Sequence, residues 1–82
     1  MKLEFLHLRI EWLEEILDIE EHSFPKPWTR GMFEREISSP ISRFFAGFES
    51  GKIAGYGGYW SVSGEAHIVN FAVHPSFRRK GV

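Results

Sequence analysis

The feature of this sequence that most constrains its fold is an apolar segment near its end, residues 65–73, which is followed by a proline. Pro75 cannot donate to a β-ladder, so we expect a strand that ends near His74. Strict alternation divides its apolar side chains into two sets, Val69, Phe71 and Val73 on one face and Ala66, Ile68 and Ala72 on the other. A strand that is apolar on both faces is typical of a sheet that carries helices.

The segment after this strand is basic and contains one glycine. Its residues are Arg78, Arg79, Lys80 and Gly81. Positive charge attracts an anion, and glycine lets the backbone approach a ligand closely. A basic turn by itself is more often a solvated surface feature. Directly after a strand and a proline it is more specific, and it indicates an anion-binding site.

The first part of the chain is predicted to hold one strand and one amphipathic helix. Residues 2–8 alternate and predict a short strand. From Ile10 to His22 the apolar residues change to helical spacing, with acidic residues in the first turns. Glu20 and Glu21, at the end of this helix, are expected to be surface charge.

A proline-containing segment, residues 24–28, separates the first helix from a second one. Neither proline nor the residue before it suits a helix interior, so the first helix must end here. Thr29 is the predicted N-cap of a second helix that extends to about Ile37.

Two further strands are predicted at residues 42–49 and 52–60, joined by a tight turn at Ser50-Gly51. The second of them contains Gly55, Gly57 and Gly58, which indicate a bulge or a close backbone approach. Residues 61–64 turn the chain into the last strand. The predicted order is therefore β-α-α-β-β-β, an α+β fold with a mostly antiparallel sheet and helices packed on it.

Length and composition exclude several classes of protein. Eighty-two residues allow one small domain, and 43 % hydrophobic residues with 26 % charged residues are typical of a globular chain. The net charge of −1 argues against general nucleic-acid binding. The sequence has no cysteine and no apolar run of about 20 residues, the length that spans a bilayer. We expect a cytoplasmic protein with no nucleic-acid or membrane partner.

Two segments and the basic turn resemble the GNAT (GCN5-related N-acetyltransferase) superfamily. They are Glu65–Val73, Ser23–Trp28 and the acetyl-CoA motif Arg/Gln-x-x-Gly-x-Gly/Ala, whose first five positions match Arg78-Arg79-Lys80-Gly81-Val82. Within the superfamily the chain is similar to the RimI-type ribosomal-protein-alanine and other protein N-terminal acetyltransferases. The resemblance covers nearly all of residues 1–82 but only the N-terminal half of the family's domain. The chain is thus expected to end inside the pyrophosphate loop.

The resemblance implies transfer of an acetyl group from acetyl-CoA to an amine. The first candidate for this amine is the N-terminal α-amine of a ribosomal or other protein. It places the pantetheine arm of acetyl-CoA against the main chain of Phe71, Ala72 and Val73. It assigns the pyrophosphate to Arg78, Arg79, Lys80, Gly81 and Val82. The family's tyrosine general acid and half of its substrate pocket would lie beyond Val82, so the 82-residue chain itself is expected to be inactive.

The catalytic and substrate residues are also assigned by resemblance, each with a structural alternative. His67 matches the position of a general base, since imidazole titrates near neutral pH, but it could equally fill space in a strand. Glu65 would orient a water or bind the substrate's ammonium, or be a solvated acid. Phe24, Pro25 and Trp28 would wall a peptide pocket, or form a hydrophobic staple between the helices. No metal is expected, because the other histidines have no partner at metal-ligand spacing.

Other assignments of the whole chain stay open at this point. One is an acetyltransferase of the same superfamily that acts on a small-molecule amine. Another is a non-catalytic α+β module that binds a partner through an exposed sheet edge. The resemblance to the family implies a fifth strand beside Glu65–Val73. Without it one edge of that strand is unpaired, so we expect homodimers that form through this exposed strand.

Overall fold

A computed structural model describes residues 3–77 of the chain. Its helices and strands follow the predicted order, which confirms the α+β fold class. They are β1 (Glu4–His7), a short 3-10 helix (Ile10–Trp12), α1 (Leu13–Ser23), α2 (Arg30–Ser38), β2 (Ser42–Glu49), β3 (Lys52–Val62), β4 (Glu65–Val73) and a second 3-10 helix (Pro75–Phe77). The predicted pyrophosphate segment, Arg78–Val82, lies outside the described residues.

The four strands form one antiparallel sheet in the order β1-β2-β3-β4. Ser50 and Gly51, with φ angles of 52° and 78°, make the two-residue turn between β2 and β3, as the sequence predicted. Ser63 and Gly64 repeat this geometry between β3 and β4. The second turn is tighter than predicted, because β3 continues to Val62 rather than ending near Trp60.

A bulge in β4 changes which side chains share a face. Gly58 is opposite Asn70 and Tyr59 is opposite Ile68, so Val69 is an extra residue between them. Val69 therefore packs against the core, while Ile68 joins Phe71 on the other face of the sheet. The strict alternation predicted for residues 65–73 is wrong across Val69, because a bulge adds one residue to a period of two.

The helices pack on one face of the sheet and bury the core there. Its buried members are Leu8, Leu13, Ile16, Ile19, Phe33, Phe44, Ala46, Ile53, Tyr56 and Ala72. Thr29 caps α2 as predicted, because its Oγ1 accepts a hydrogen bond of 3.3 Å from the N–H of Met32. The capped helix presents Phe33 edge-on to Phe44 and Tyr56 of the sheet.

The opposite face of the sheet is open among the described residues. Phe5, Ile68 and Phe71 there are 65 %, 77 % and 66 % exposed. Together with glycines of β2 and β3 they line an apolar groove of about 730 Å³. This face of β4 is uncovered within residues 3–77, since the described helices cover only the other face.

Candidate functional site

The segment Phe71–Val73 lies at the edge of the sheet, beside the apolar groove. Phe71 and Val73 line the groove, whereas Ala72 turns to the core opposite Tyr56. Gly55 lets β3 come close to this segment, because a Cβ atom there would lie 2.7 Å from the carbonyl oxygen of Ala72. The main chain expected to hold the pantetheine arm therefore adjoins an apolar surface.

The chain leaves β4 in a defined direction, toward the predicted pyrophosphate segment. The N–H of His74 donates to the carbonyl oxygen of Ala54 at 2.7 Å, which extends the pairing with β3 by one bond. Pro75 then begins a 3-10 turn whose last residue, Phe77, is buried. The next residue is Arg78, the first of the predicted anion-binding residues.

His67 and Glu65 lie close to each other near the beginning of β4. His67 Nε2 is 3.7 Å from Glu65 Oε1, and the two side chains are 55 % and 77 % exposed. His67 is roughly 20 Å along the strand from Val73, at about 3.3 Å per residue. An exposed imidazole can exchange a proton with a water or an incoming amine, which is what a general base requires.

This pair belongs to the side of the sheet that carries the helices. His67 is opposite Trp60 in the register. The indole N–H of Trp60 donates to Glu36 of α2 at 2.7 Å, which fixes Trp60 on that side. His67 and the α1–α2 loop are therefore on the same face of the sheet.

The loop between α1 and α2 has both structural and exposed residues. The ring of Trp28 lies 5.0 Å from that of Phe33 and 5.8 Å from that of Phe44. Trp28 precedes the N-cap and Phe33 is in the next turn, so their contact is a hydrophobic staple. Phe24 also packs against the core, and Pro25 is exposed. The staple that was the structural alternative is present, and the substrate role of these residues stays a prediction.

Glu20 is the residue that the sequence interpretation missed. It is only 1 % exposed, so its prediction as surface charge is wrong, whereas Glu21 is exposed. Glu20 Oε1 accepts hydrogen bonds from the Tyr56 hydroxyl and, at 3.0 Å, from Asn70 Nδ2. Its Oε2 accepts a 2.9 Å bond from the backbone N–H of Trp28. The carboxylate thus joins α1, the α1–α2 loop, β3 and β4.

Helical spacing contained a signal for this burial. Glu20 comes four residues after Ile16 and seven after Leu13, both of which are fully buried. Side chains at those intervals lie on one face of a helix. A charged residue on a buried stripe needs polar partners, and Asn70 is the polar residue in the apolar part of β4.

The surroundings of Tyr56 keep its hydroxyl protonated. Burial raises the pKa of Tyr56 above its ordinary value of 10.0, and the hydrogen bond to Glu20 and the charge of Glu20 raise it further. The phenol therefore remains a hydrogen-bond donor to the carboxylate across the physiological range.

Residues 3–77 were expected to hold no metal, and their remaining histidines have other contacts. No group of three His, Asp or Glu side chains there lies close enough to hold a metal ion. His7 packs on Phe45, and His22 Nδ1 lies 2.8 Å from the carbonyl oxygen of Asp18. None of the described helices is long and apolar enough to cross a membrane.

An antiparallel sheet with two helices on one face, followed in the sequence by basic residues, is the arrangement that the resemblance to the GNAT acetyltransferases predicted. The sequence model of the acetyltransferase (GNAT) family matches residues 13–82. The chain belongs to this family, as the resemblance predicted.

The chain is similar to protein-alanine acetyltransferases in both sequence and structure. It is 34 % identical over 73 residues to a putative [ribosomal protein bS18]-alanine N-acetyltransferase of Bacillus subtilis (strain 168), covering 88 % of this chain and 48 % of that protein. The crystal structure of the ribosomal-protein-S18-alanine N-acetyltransferase from Escherichia coli matches with a TM-score of 0.84 and 25 % identity, over 98 % of this chain and 51 % of that one.

A more distant structure shows the same fold. It is the PaiA N-acetyltransferase from Thermoplasma acidophilum in complex with coenzyme A, with a TM-score of 0.81 and 16 % identity, over 100 % of this chain and 65 % of that one. The chain spans about half the length of the two alanine acetyltransferases that it matches.

Proposed function

We propose that this chain supplies the acetyl-CoA side of an N-acetyltransferase whose acceptor is the N-terminal α-amine of a protein, with a ribosomal protein as the first candidate. The observation that carries the proposal is the 34 % identity to an alanine N-acetyltransferase over 88 % of the chain. In this reaction the amine nitrogen attacks the thioester carbonyl and the C–S bond breaks. The amine's proton goes to a base, and CoA leaves as the thiolate.

The cofactor roles are proposed for two consecutive segments. The main chain of Phe71, Ala72 and Val73 holds the pantetheine arm at the edge of β4. The backbone and positive charge of Arg78, Arg79, Lys80, Gly81 and Val82 hold the pyrophosphate. The position of Phe71 and Val73 beside the apolar groove supports the first assignment, since the pantetheine chain is partly apolar.

The acceptor roles are proposed for β4 and the α1–α2 loop. His67 removes the amine's proton directly or through a water, and Glu65 orients that water or binds the ammonium. Their 3.7 Å separation and their exposure support this assignment. Phe24, Pro25 and Trp28 form the rim on which the acceptor's first residues rest, and the acceptor is expected to be a cytoplasmic protein.

The 82-residue chain is proposed to bind CoA weakly and to turn over little or not at all, because it spans about half of its alanine acetyltransferase relatives. The test is a titration of the isotope-labelled chain with CoA, followed by NMR, beside an acetyl-transfer assay with an N-terminal-alanine peptide. Pantetheine alone should shift resonances of Phe71–Val73, and 3′,5′-ADP alone should shift those of residues 78–82. Saturable binding confined to other residues would contradict the proposed function.

Self-association is a further part of the proposal. The outer edge of β4 and the open apolar groove lie next to each other, and Ile68 and Phe71 are largely exposed there. Two copies related by a two-fold axis can pair their β4 edges and cover each other's apolar surfaces.

A further inference from the structure

The buried carboxylate of Glu20 connects the two halves of the proposed site. Through Oε2 it holds the backbone of Trp28, in the proposed acceptor rim. Through Oε1 it holds Asn70 of β4, one residue before the proposed cofactor segment that begins at Phe71. We propose that Glu20 is the positioning residue that sets the acceptor rim against the cofactor strand. Its role in acceptor binding rests on the function proposed above.

The chemistry of the three partners matches a carboxylate. A hydroxyl, a side-chain amide and a backbone N–H all direct hydrogen atoms at Glu20. An ionised carboxylate only accepts, and its two oxygens have enough lone pairs for all three donors. Glutamine has almost the same shape but replaces one acceptor by a donor, so it cannot accept from all three groups in this arrangement.

The position of the α1–α2 loop backbone depends on Glu20. The Trp28 N–H is eight residues after Glu20, so the bond ties the end of the loop to the end of α1. The Trp28 ring is held separately by Phe33 and Phe44. The ring contacts set how deeply the loop packs, and the carboxylate sets the position of its backbone relative to β4.

The bulge at Val69 brings β4 into this network. If β4 alternated strictly from Ile68, which lines the open groove, Asn70 would face that groove as well. With the bulge, Asn70 reaches Glu20, and Phe71 lines the groove. The pairing with β3 holds the backbone of β4, and the carboxylate therefore sets the position of the rim relative to that strand.

The desolvation free energy of the buried carboxylate also favours a positioning role for Glu20 over a purely stabilising one. The partners of Glu20 are neutral donors, and the desolvation of a buried carboxylate offsets much of what such bonds contribute. An apolar residue of similar size would fill the space without that cost. It could not direct the Trp28 N–H and the Asn70 amide toward one point.

The first test is amide hydrogen exchange on the whole 82-residue chain. Trp28 should be protected in the wild type, and Glu20→Gln should accelerate its exchange at least about tenfold relative to the amides of α2. Glu21→Gln is the matched control, since Glu21 is the adjacent exposed residue of the same helix, and it should leave Trp28 unchanged. An unprotected Trp28 amide in the wild-type chain would overturn the proposal even if Glu20→Gln failed to fold.

The second test separates positioning from general stability. Glu20→Gln should weaken binding of a peptide with a free N-terminal alanine by roughly tenfold or more, while the Kd for CoA stays the same. Tyr56→Phe, which leaves the Trp28 bond in place, should affect peptide binding much less. Equal weakening of peptide and CoA would mean a merely structural role and would overturn the proposal.

Failure of the proposed function would be recognised separately. If the wild-type chain binds the free-amine peptide no better than its N-acetylated form, the acceptor assignment fails. The exchange rate of the Trp28 amide then still decides whether Glu20 positions the loop.

Discussion

Glu20 and Glu21 are adjacent, identical in chemistry and opposite in environment. One is 1 % exposed and accepts three hydrogen bonds, while the other is exposed. Successive residues of a helix are rotated by about 100°, which is enough to move a side chain from the core to the solvent. At the scale of single residues, position on the helix decides what a carboxylate does.

Tyr56 should make the stability of this chain depend on alkaline pH. Its pKa is raised in the folded state, so its contribution is fully present below its unfolded pKa of about 10 and is lost as the pH rises toward the folded value. Above about pH 10 the free energy of unfolding should therefore fall with pH, and Tyr56→Phe should make that decrease smaller. Urea titrations at pH 8 to 11 measure this.

Tyr59→Phe is the control for that experiment, because Tyr59 lies on the open face of β3, away from Glu20. It should retain the alkaline decrease. An identical pH dependence in wild type and Tyr56→Phe would show that Tyr56 is not its source.

His67→Ala tests the proposed general base, in an active acetyltransferase domain that contains these 82 residues. Loss of a general base typically lowers kcat by roughly 10²–10⁴-fold. In the wild type the rate should fall at low pH, where the base becomes protonated. This fall should be absent from the pH–rate profile of His67→Ala. His22→Ala is the control, since His22 lies on α1 next to Asp18 and not on β4. A profile that His67→Ala leaves unchanged would mean that His67 only fills space.

At the scale of elements, β3 has glycine at positions where residues of other elements pack directly against its backbone. A Cβ atom at Gly58 would lie 2.2 Å from the ring of Phe44, which itself packs beneath α2. The sequence predicted a close approach in this strand, and the structure confirms it. Phe44 occupies the space because Gly58 leaves it empty.

Gly58→Ala should therefore destabilise the chain, by about 1–3 kcal/mol, because overpacking forces Phe44 and its neighbours to shift. Gly31→Ala is the matched control, since a Cβ atom there would meet only Thr29 Oγ1 at 4.0 Å, within helix α2. That change should stabilise the chain by about 0.5–1 kcal/mol. Denaturant unfolding gives both values, and a neutral Gly58→Ala would contradict the packing described for Phe44.

At the scale of the whole molecule, residues 3–77 are asymmetric about their sheet. One face carries both helices and the core, and the other presents the apolar groove. Monomeric proteins rarely expose contiguous apolar patches of this kind. The groove also adjoins the edge strand β4, so edge pairing and apolar contact can act together.

Self-association should therefore be visible by light scattering at micromolar concentration. The double variant Ile68→Lys with Phe71→Lys should shift the chain toward monomer, because charges on the groove oppose a second copy. Ile10→Lys is the control, as Ile10 is 46 % exposed but does not line the groove. A wild-type chain that scatters as a folded monomer would contradict the proposed homodimer.

The order of the elements, the Thr29 cap, the bounds of β2 and β4 and the family could be predicted from the sequence. Each depends on residues that are close in the chain: apolar periodicity, a capping hydroxyl, a Ser-Gly turn, a proline after a strand. The residues proposed for the cofactor and for catalysis came from the resemblance to the family and stay predictions.

The tertiary structure decided the burial of Glu20, the bulge at Val69 and the open groove. Glu20 and Asn70 are 50 residues apart, and the bond between their side chains exists only when α1 lies on β4. The bulge likewise depends on how β4 pairs with β3, which no pattern within residues 65–73 contains. Local sequence determines the elements because propensity, capping and turn chemistry act over a few residues. Contacts between distant residues determine which side chains are buried.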